Sequence, residues 1–166
     1  MDKQDVIQAA AQMEKDGRQF YLESAEKSPS TVVRKVLEQL ADDELKHLEW
    51  IEANLGPHDA GQQARKDAYD RLAHIFKETS EEAKEAGNVM KGDIEPLRLG
   101  LDMENKSVVA YARWAEETDD AEVRQLLEAL ADVERFHAEL LENTILYLEN
   151  PTEYFQKEEG WMLDGG

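Results

Sequence analysis

The sequence predicts an all-α protein, a four-helix bundle made of two similar helical hairpins. Only 9 glycines and 4 prolines interrupt its 166 residues, and apolar residues recur at intervals of three and four, the spacing of amphipathic helices. The pattern of the first hairpin also returns, in the same order, in the second half of the chain. A chain of this length can bury the core of one domain, which we place at residues 1–150.

The first hairpin is predicted over residues 1–56. Its first helix begins within the first five residues and ends at Lys27, because the Ser-Pro-Ser run that follows interrupts the helical pattern. Ser30 or Thr31 can cap the second helix by accepting hydrogen bonds from its free backbone N–H groups. That helix ends before Gly56.

The second hairpin is predicted over residues 93–150. Its first helix begins at the start of this range and tolerates Pro96 in its first turn, where the missing N–H has no helical partner to lose. Two aspartates after Thr118 make the turn, and the last helix ends at Asn150. Residues 151–166 form a tail.

Residues 57–92 join the two hairpins and are too many for a plain loop in a compact domain. Their apolar residues again follow helical spacing from Ala68 to Ala83, and the pattern ends at Gly87. We therefore expect one further helix in this connector. A helix of about 22 residues spans about 33 Å, which is enough to return along a bundle.

The composition excludes several classes of function. Acidic residues outnumber basic ones by 38 to 19, and the formal net charge of −19 would repel nucleic acid and anionic membranes. The absence of cysteine excludes disulfides, thiolate metal sites and cysteine nucleophiles. No apolar run approaches the ~20 residues of a membrane span, and the N-terminus lacks the layout of a secretory signal. We expect a cytoplasmic protein with neither nucleic acid nor membrane as a partner.

The two halves of the chain align with a shift of 90 residues and no gap, and fifteen residues between positions 13 and 49 recur 90 positions later. Helical patterning can account for the shared leucines and alanines. It does not readily account for two glutamates and a histidine held in the same frame. Both halves carry a lone Glu on the first helix and a Glu-x-x-His motif on the second: Glu14, Glu44 and His47, then Glu104, Glu134 and His137.

Hairpin geometry places each group of three at one height. The lone Glu precedes the motif by 30 residues in both repeats, and the predicted turn falls halfway between them. Equal numbers of residues up one helix and down the next, each rising ~1.5 Å, bring these side chains level. The Glu and the His of a motif lie ~60° apart around the helix, so both can reach one ion. Two packed hairpins would gather four carboxylates and two imidazoles in the bundle centre.

The alternative is that these residues are ordinary surface glutamates and incidental histidines. Each motif alone is compatible with that interpretation, but the two motifs in register favour a metal site. Burying an unpaired carboxylate costs several kcal/mol, and a like-charged neighbour adds to the cost. Two divalent cations would cancel the four negative charges. Carboxylate-rich ligation with one imidazole per metal suits iron or manganese better than structural zinc.

The sequence resembles the rubrerythrin branch of the ferritin-like di-iron carboxylate superfamily, whose ligand pattern these motifs match. The resemblance covers about residues 1–150. It implies a ferritin-like four-helix bundle in which residues 57–92 form a long crossover connection or are exchanged between two subunits. It rests on four segments: MEKDGRQFY at 13–21, LADDELKH at 40–47, MENKSVVAY at 103–111 and LADVERFH at 130–137.

The resemblance also implies a di-iron centre, in which manganese or zinc could replace the two iron ions. Glu44 and Glu134 would bridge the metals. Four residues would be terminal ligands: Glu14, His47, Glu104 and His137.

The activity that the resemblance implies is that of a non-haem di-iron oxidoreductase, a peroxidase that reduces hydrogen peroxide or an enzyme that reduces O₂. Rubrerythrins usually carry a rubredoxin domain with a cysteine-bound iron. Because this sequence has no cysteine, the electrons would come from a separate donor such as a rubredoxin. A ferroxidase or iron-handling protein with the same six ligands is an alternative, and so is a non-enzymatic helical scaffold. A homodimer or larger homo-oligomer is expected.

One position departs from the usual rubrerythrin pattern. The family usually has an extra carboxylate one turn after the lone Glu of the third helix, where this sequence has Ser107, and the equivalent residue in the first repeat is Gly17. Small residues leave room for O₂ or peroxide beside the metals. Equally, they permit close helix packing, and the sequence does not separate these two interpretations.

Two tyrosines accompany the predicted ligands. Tyr21 and Tyr111 each follow a lone glutamate by seven residues, which is ~20° around a helix, so they point to the same core. They would donate hydrogen bonds to ligand carboxylates or simply pack. Asp43 could orient an imidazole, although its equivalent in the second repeat is Val133.

The remaining aromatic and histidine residues predict packing or surface roles. Trp50 and Trp114 lie on predicted helices and are expected to pack. His58 and His74 lie outside the repeat and are predicted to lie at the surface. The tail has Tyr154, Phe155, Trp161 and Met162 in an acidic setting, and we expect it to dock on the bundle or on a second subunit.

Overall fold

The computed structural model describes residues 3–53 and 91–154, which contain four long helices, a further helical turn at residues 151–154 and no strand. The long helices are α1 (Lys3–Lys27), α2 (Thr31–Glu52), α3 (Lys91–Glu117) and α4 (Ala121–Glu149). The predicted all-α bundle of two helical hairpins is confirmed. The predicted helix of the connector, His58 and His74 lie outside the described residues, as do residues 155–166 of the tail.

The predicted turns are capped by short polar side chains. Ser30 is the N-cap of α2 and its hydroxyl accepts a hydrogen bond from the backbone N–H of Val33 at 3.4 Å. Asp120 caps α4, and one of its carboxylate oxygens accepts from the N–H groups of Glu122 and Val123 at 3.0 and 3.1 Å. These bonds satisfy backbone donors that have no partner within the helix.

Helix α3 begins two residues before the predicted start of the second hairpin. Pro96 is therefore the sixth residue of the helix rather than part of its first turn. A proline at this position removes one backbone hydrogen bond close to the end of the helix, where the ring disturbs little of what precedes it.

Each helix packs most extensively against its hairpin partner, α1 on α2 and α3 on α4, and the two hairpins then pack face to face. Two apolar clusters fill the bundle, and each draws on both hairpins. One contains Tyr21, Leu37, Leu97 and Leu141, and the other contains Val6, Ile51, Tyr111 and Leu127.

A buried polar layer separates the two apolar clusters along the bundle. On α1, for example, Val6 and Ala10 belong to one cluster, Tyr21 and Ala25 to the other, and Glu14 lies between them. In each of the other three helices, the glutamates and histidines likewise lie between residues of the two apolar clusters. The apolar clusters therefore shield the polar layer from water on both sides.

Candidate metal centre

The polar layer consists of the six residues that the sequence predicts as metal ligands, and all six are at most 3% exposed. Each helix contributes to it, because the 30-residue spacing within each hairpin brings the lone Glu level with the motif on the next helix. The side chains come from α1 (Glu14), α2 (Glu44 and His47), α3 (Glu104) and α4 (Glu134 and His137).

The six side chains form two overlapping groups, in each of which the potential ligand atoms all lie within 4.8 Å of one another. Glu44 and Glu134 belong to both groups. Glu14 and His47 complete the first group, and Glu104 and His137 complete the second. This arrangement could hold two metal ions, and Glu44 and Glu134 offer carboxylate oxygens to both groups.

Both histidines turn Nδ1 toward the carboxylates. His47 Nδ1 lies 2.9 Å from Glu14 Oε2 and 3.1 Å from Glu134 Oε1. His137 Nδ1 lies 3.1 Å from Glu134 Oε2 and 3.6 Å from Glu44 Oε1. The two imidazole rings stack, with centroids 5.2 Å apart and planes 21° apart. Nδ1 is therefore the nitrogen that each histidine offers to a metal.

The two tyrosines donate hydrogen bonds across the bundle to the lone glutamates. Tyr21 on α1 donates to Glu104 on α3, and Tyr111 on α3 donates to Glu14 on α1. Burial and the neighbouring carboxylates, Glu104 for Tyr21 and Glu14 for Tyr111, raise the pKa of both phenols well above its usual value. Both phenols therefore keep their protons and remain donors at neutral pH.

The pKa values of three of the carboxylates are shifted by their crowding in a buried cluster. Burial, followed by repulsion from Glu134, raises the pKa of Glu104 to about 8. Burial and repulsion from Glu134 and Glu14 likewise raise the pKa of Glu44. Burial also opposes ionisation of Glu134, but the nearby imidazoles, His47 foremost, hold its pKa well below the usual value. Without metal, the site must share protons to limit its negative charge.

One carboxylate oxygen in this cluster has no proper hydrogen-bond partner. Glu134 Oε1 is buried and accepts no well-aligned hydrogen bond. His47 Nδ1 lies 3.1 Å from this oxygen, but it pairs with Glu14 Oε2 at 2.9 Å instead. A buried carboxylate oxygen without a donor is unfavourable unless a cation occupies the free position. The donor set therefore fits two divalent metal ions, whose charge would balance the four carboxylates.

A small cavity of about 20 Å³ adjoins the cluster. Gly17 and Ser107 line it together with three of the glutamates and Tyr21. A Cβ added at Gly17 would lie 3.5 Å from the carboxyl carbon of Glu44, so a side chain here would occupy this space. Gly17 and Ser107 therefore border an opening next to the carboxylates, and the choice between room for O₂ or peroxide and close helix packing stays a prediction.

The family model of rubrerythrin matches residues 5–145. The chain belongs to the rubrerythrin family. No curated protein and no solved structure was found to match it. Rubrerythrins are ferritin-like proteins that bind a di-iron centre, so two iron ions are the cofactor that this carboxylate and histidine cluster would hold. None of the helices described for this rubrerythrin is both long and apolar enough to cross a membrane.

Asp43 lies beside one of the two histidines in this rubrerythrin. Its Oδ2 is 3.9 Å from His137 Nε2, the nitrogen that faces away from the cluster. The pKa of Asp43 is lowered overall. Burial acts to raise it, but the charge of His137 and the hydrogen bonds from Lys46 and Gln39 outweigh burial. The carboxylate is therefore held charged near the outer edge of one imidazole. The second repeat has no acidic equivalent, because Val133 occupies that position.

Gly100 is a residue of this site that the sequence analysis missed. A Cβ at this position would lie 3.0 Å from Cε1 and 3.2 Å from the hydroxyl oxygen of Tyr21, and 3.4 Å from Leu141. Gly100 therefore lets Tyr21 approach α3 closely enough to reach Glu104 one turn later. The 90-residue repeat contained a signal for it, because the equivalent residue, Ala10, is also small.

Proposed function

We propose that this rubrerythrin reduces hydrogen peroxide to water with electrons from a separate donor. The observation that carries the proposal is the buried cluster itself, whose two overlapping groups of carboxylates and imidazoles can hold two metal ions. The opening among Glu14, Glu44 and Glu104 has a volume of about 20 Å³, about the space of one water molecule, and bound metals would take up part of it. So little free space favours a substrate as small as peroxide or O₂ over an organic substrate.

The proposed reaction consumes two electrons and two protons for each peroxide and yields two waters. Two irons bound by the six residues would supply the electron pair. We assign Glu44 and Glu134 to positions between the metals, because both carboxylates belong to both groups of ligand atoms. The terminal ligands would be Glu14 and His47 on one ion, and Glu104 and His137 on the other.

The residues around the ligands would hold the ligand carboxylates in fixed orientations and exclude water from the site. The hydroxyls of Tyr21 and Tyr111 each hold one terminal carboxylate by a hydrogen bond. Such bonds to metal-ligating carboxylates orient the ligand and adjust its basicity. The apolar clusters above and below the polar layer exclude bulk water, which strengthens electrostatic interactions within the site.

The electron donor in this proposal is a second molecule. The 166 residues contain no cysteine, so they hold no cysteine-bound iron of the rubredoxin type. A separate rubredoxin would supply single electrons of the kind that a di-iron centre can accept. A homodimer or larger homo-oligomer stays a prediction for this chain.

Rapid mixing of the anaerobically reduced, iron-loaded protein with hydrogen peroxide tests the proposal. We expect two irons per chain and oxidation by peroxide that is faster than oxidation by O₂ under the same conditions. Oxidation no faster with peroxide than with O₂ would overturn the peroxidase assignment. Accumulation of many irons per chain during aerobic addition of Fe²⁺ would instead favour the ferroxidase alternative.

A further inference from the structure

Three aromatic rings form a continuous row from the surface into the metal cluster. The indole of Trp50 packs against the imidazole of His47, with ring centroids 5.2 Å apart and planes at 37°. His47 in turn stacks on His137 at 5.2 Å. The two histidines are buried, whereas Trp50 is partly exposed. The row therefore connects solvent with the imidazoles of both groups of ligands.

This row exists on one side of the cluster and is absent from the equivalent place in the repeat. Trp50 follows His47 by three residues, so one helical turn places the two rings together on α2. The equivalent residue after His137 is Leu140, which is buried and aliphatic. Among the described residues, only His47 of the two histidines has an indole against it.

We infer that Trp50 is the residue through which electrons enter the metal centre. The inference rests on the proposed function, since it concerns how a separate donor reduces the site. Electron tunnelling weakens steeply with distance, and rings in contact provide better electronic coupling than aliphatic side chains. The polarised Nδ1 edge of His47 meets the carboxylate cluster at 2.9 and 3.1 Å, so the row ends at the position where a metal would bind.

Each passage along the row is a one-electron transfer. A one-electron reductant outside the protein is oxidised by one electron, and one ferric ion held by the cluster becomes ferrous. Two such transfers convert the diferric centre to the diferrous centre that the proposed reaction consumes. The indole and the imidazoles neither gain nor lose electrons overall, and no bond is made or broken in them.

The protein contains its own matched control in a second tryptophan. Trp114 packs on Tyr111 with ring centroids 5.9 Å apart, but Tyr111 contacts the cluster through a hydrogen bond to Glu14 rather than as a proposed ligand. Trp114 is only 8% exposed, and its indole nitrogen is buried without a hydrogen-bond partner. It is therefore poorly placed to receive an electron from outside.

The experiment measures reduction of the iron-loaded, oxidised protein by hexaammineruthenium(II) under anaerobic conditions. Loss of the visible absorption of the oxidised centre is followed by stopped flow. Trp50→Leu introduces the residue that the second repeat has at this position and should slow reduction several-fold. Trp50→Phe keeps a ring against His47 and should retain most of the rate, and Trp114→Phe should leave it unchanged. Rates are compared per bound iron, so that a change in iron loading does not enter the comparison.

Several outcomes would overturn the inference. Reduction of Trp50→Leu at the wild-type rate or faster would show that solvent access to His47, rather than the indole, governs electron entry. A Phe variant as slow as the Leu variant would show that an aromatic ring against His47 does not sustain electron entry, which contradicts the role proposed for the row of rings. Slow reduction in Trp114→Phe alone would assign the route to the other tryptophan. No peroxide is present in this experiment, so the reduction rates do not depend on whether the protein is a peroxidase. The peroxidase proposal is tested independently by the mixing experiment with hydrogen peroxide.

Discussion

Tyr21 donates a hydrogen bond to Glu104, a residue of the opposite hairpin. The relationship is reciprocal, because Tyr111 of the second hairpin donates to Glu14 of the first. Each lone glutamate therefore depends on the other half of the repeat for its orientation. Neither hairpin alone contains a complete group of ligands with its hydrogen-bond donor.

Replacing either tyrosine by phenylalanine should weaken metal binding on one side of the site. Loss of a hydrogen bond to a charged group costs about 1.5–3 kcal/mol, and loss of such a supporting bond typically lowers metal affinity by about 10–100-fold. Tyr21→Phe should weaken the binding of one of the two metals, and Tyr111→Phe should weaken the binding of the other. Competition titrations against a chelator measure this, with Tyr154→Phe as a control outside the site. Equal affinities in the variants and the wild type would contradict a supporting role for the hydroxyls.

Removing the two shared carboxylates should abolish metal binding altogether. Glu44 and Glu134 each belong to both groups of ligand atoms, so the double variant Glu44→Ala with Glu134→Ala leaves neither group intact. Metal analysis of the purified protein should find no stoichiometric iron. The control is Glu38→Ala with Glu128→Ala, which removes two exposed glutamates that lie six residues earlier on the same helices. Unchanged iron content in the Glu44 and Glu134 variant would support the scaffold alternative.

Substitution of Gly17 should separate stability from reactivity. A Cβ here lies 3.5 Å from Glu44, an ordinary contact, and alanine is favoured over glycine within a helix by about 1 kcal/mol. Gly17→Ala should therefore raise the melting temperature and retain both irons. The added methyl occupies part of the cavity, so oxidation of the reduced protein by peroxide should become slower. An unchanged rate would indicate that peroxide approaches the metals by another path.

The same change at Gly100 should have the opposite effect on stability. Its Cβ would lie 3.0 Å from the ring of Tyr21, closer than side chains tolerate without movement, and overpacking of this kind costs about 1–3 kcal/mol. Gly100→Ala should therefore lower the melting temperature despite its better helix propensity. It should also weaken the binding of one metal, because displacement of Tyr21 removes the hydrogen bond to Glu104. A stability gain equal to that of Gly17→Ala would show that Tyr21 adjusts freely.

Stability should respond to pH in opposite directions with and without metal. A carboxyl whose pKa is raised on folding binds its proton more tightly when folded, so its contribution is lost as the pH rises toward the folded value. For Glu104 this interval runs from 4.5 to about 8, and the pKa of Glu44 is shifted in the same direction. The metal-free protein should therefore melt at a lower temperature at pH 8 than at pH 5.

The metal-loaded protein should show the reverse trend, because acid protonates the ligands and releases the ions. Thermal unfolding between pH 5 and 8, with and without a strong chelator, checks both expectations. Parallel pH profiles for the two forms would argue against metal binding by these carboxylates. The low pKa of Glu134 affects stability only at lower pH, below the usual carboxylate range, so it does not disturb the comparison.

The helices and the residues of the cluster could be predicted from the sequence because both depend on local spacing. The apolar periodicity and the Ser30 cap depend on near neighbours along the chain. The 30-residue interval within each hairpin sets the height of Glu14 and Glu104 through the constant rise of a helix. The 90-residue repeat then separates the six cluster residues from the many other glutamates of a chain with a net charge of −19.

Only the tertiary structure decided how the two hairpins contact each other and which neighbours their side chains reach. Periodicity places Tyr21 and Tyr111 toward the core but does not identify the opposite glutamate as the partner of each. Nor does it predict the close approach of Gly100 to Tyr21, or that Trp50, expected only to pack, lies against His47 at the edge of the cluster. The physical reason is that a helix repeats its own geometry from sequence alone, whereas the rotation and separation of two packed helices result from all the side chains between them.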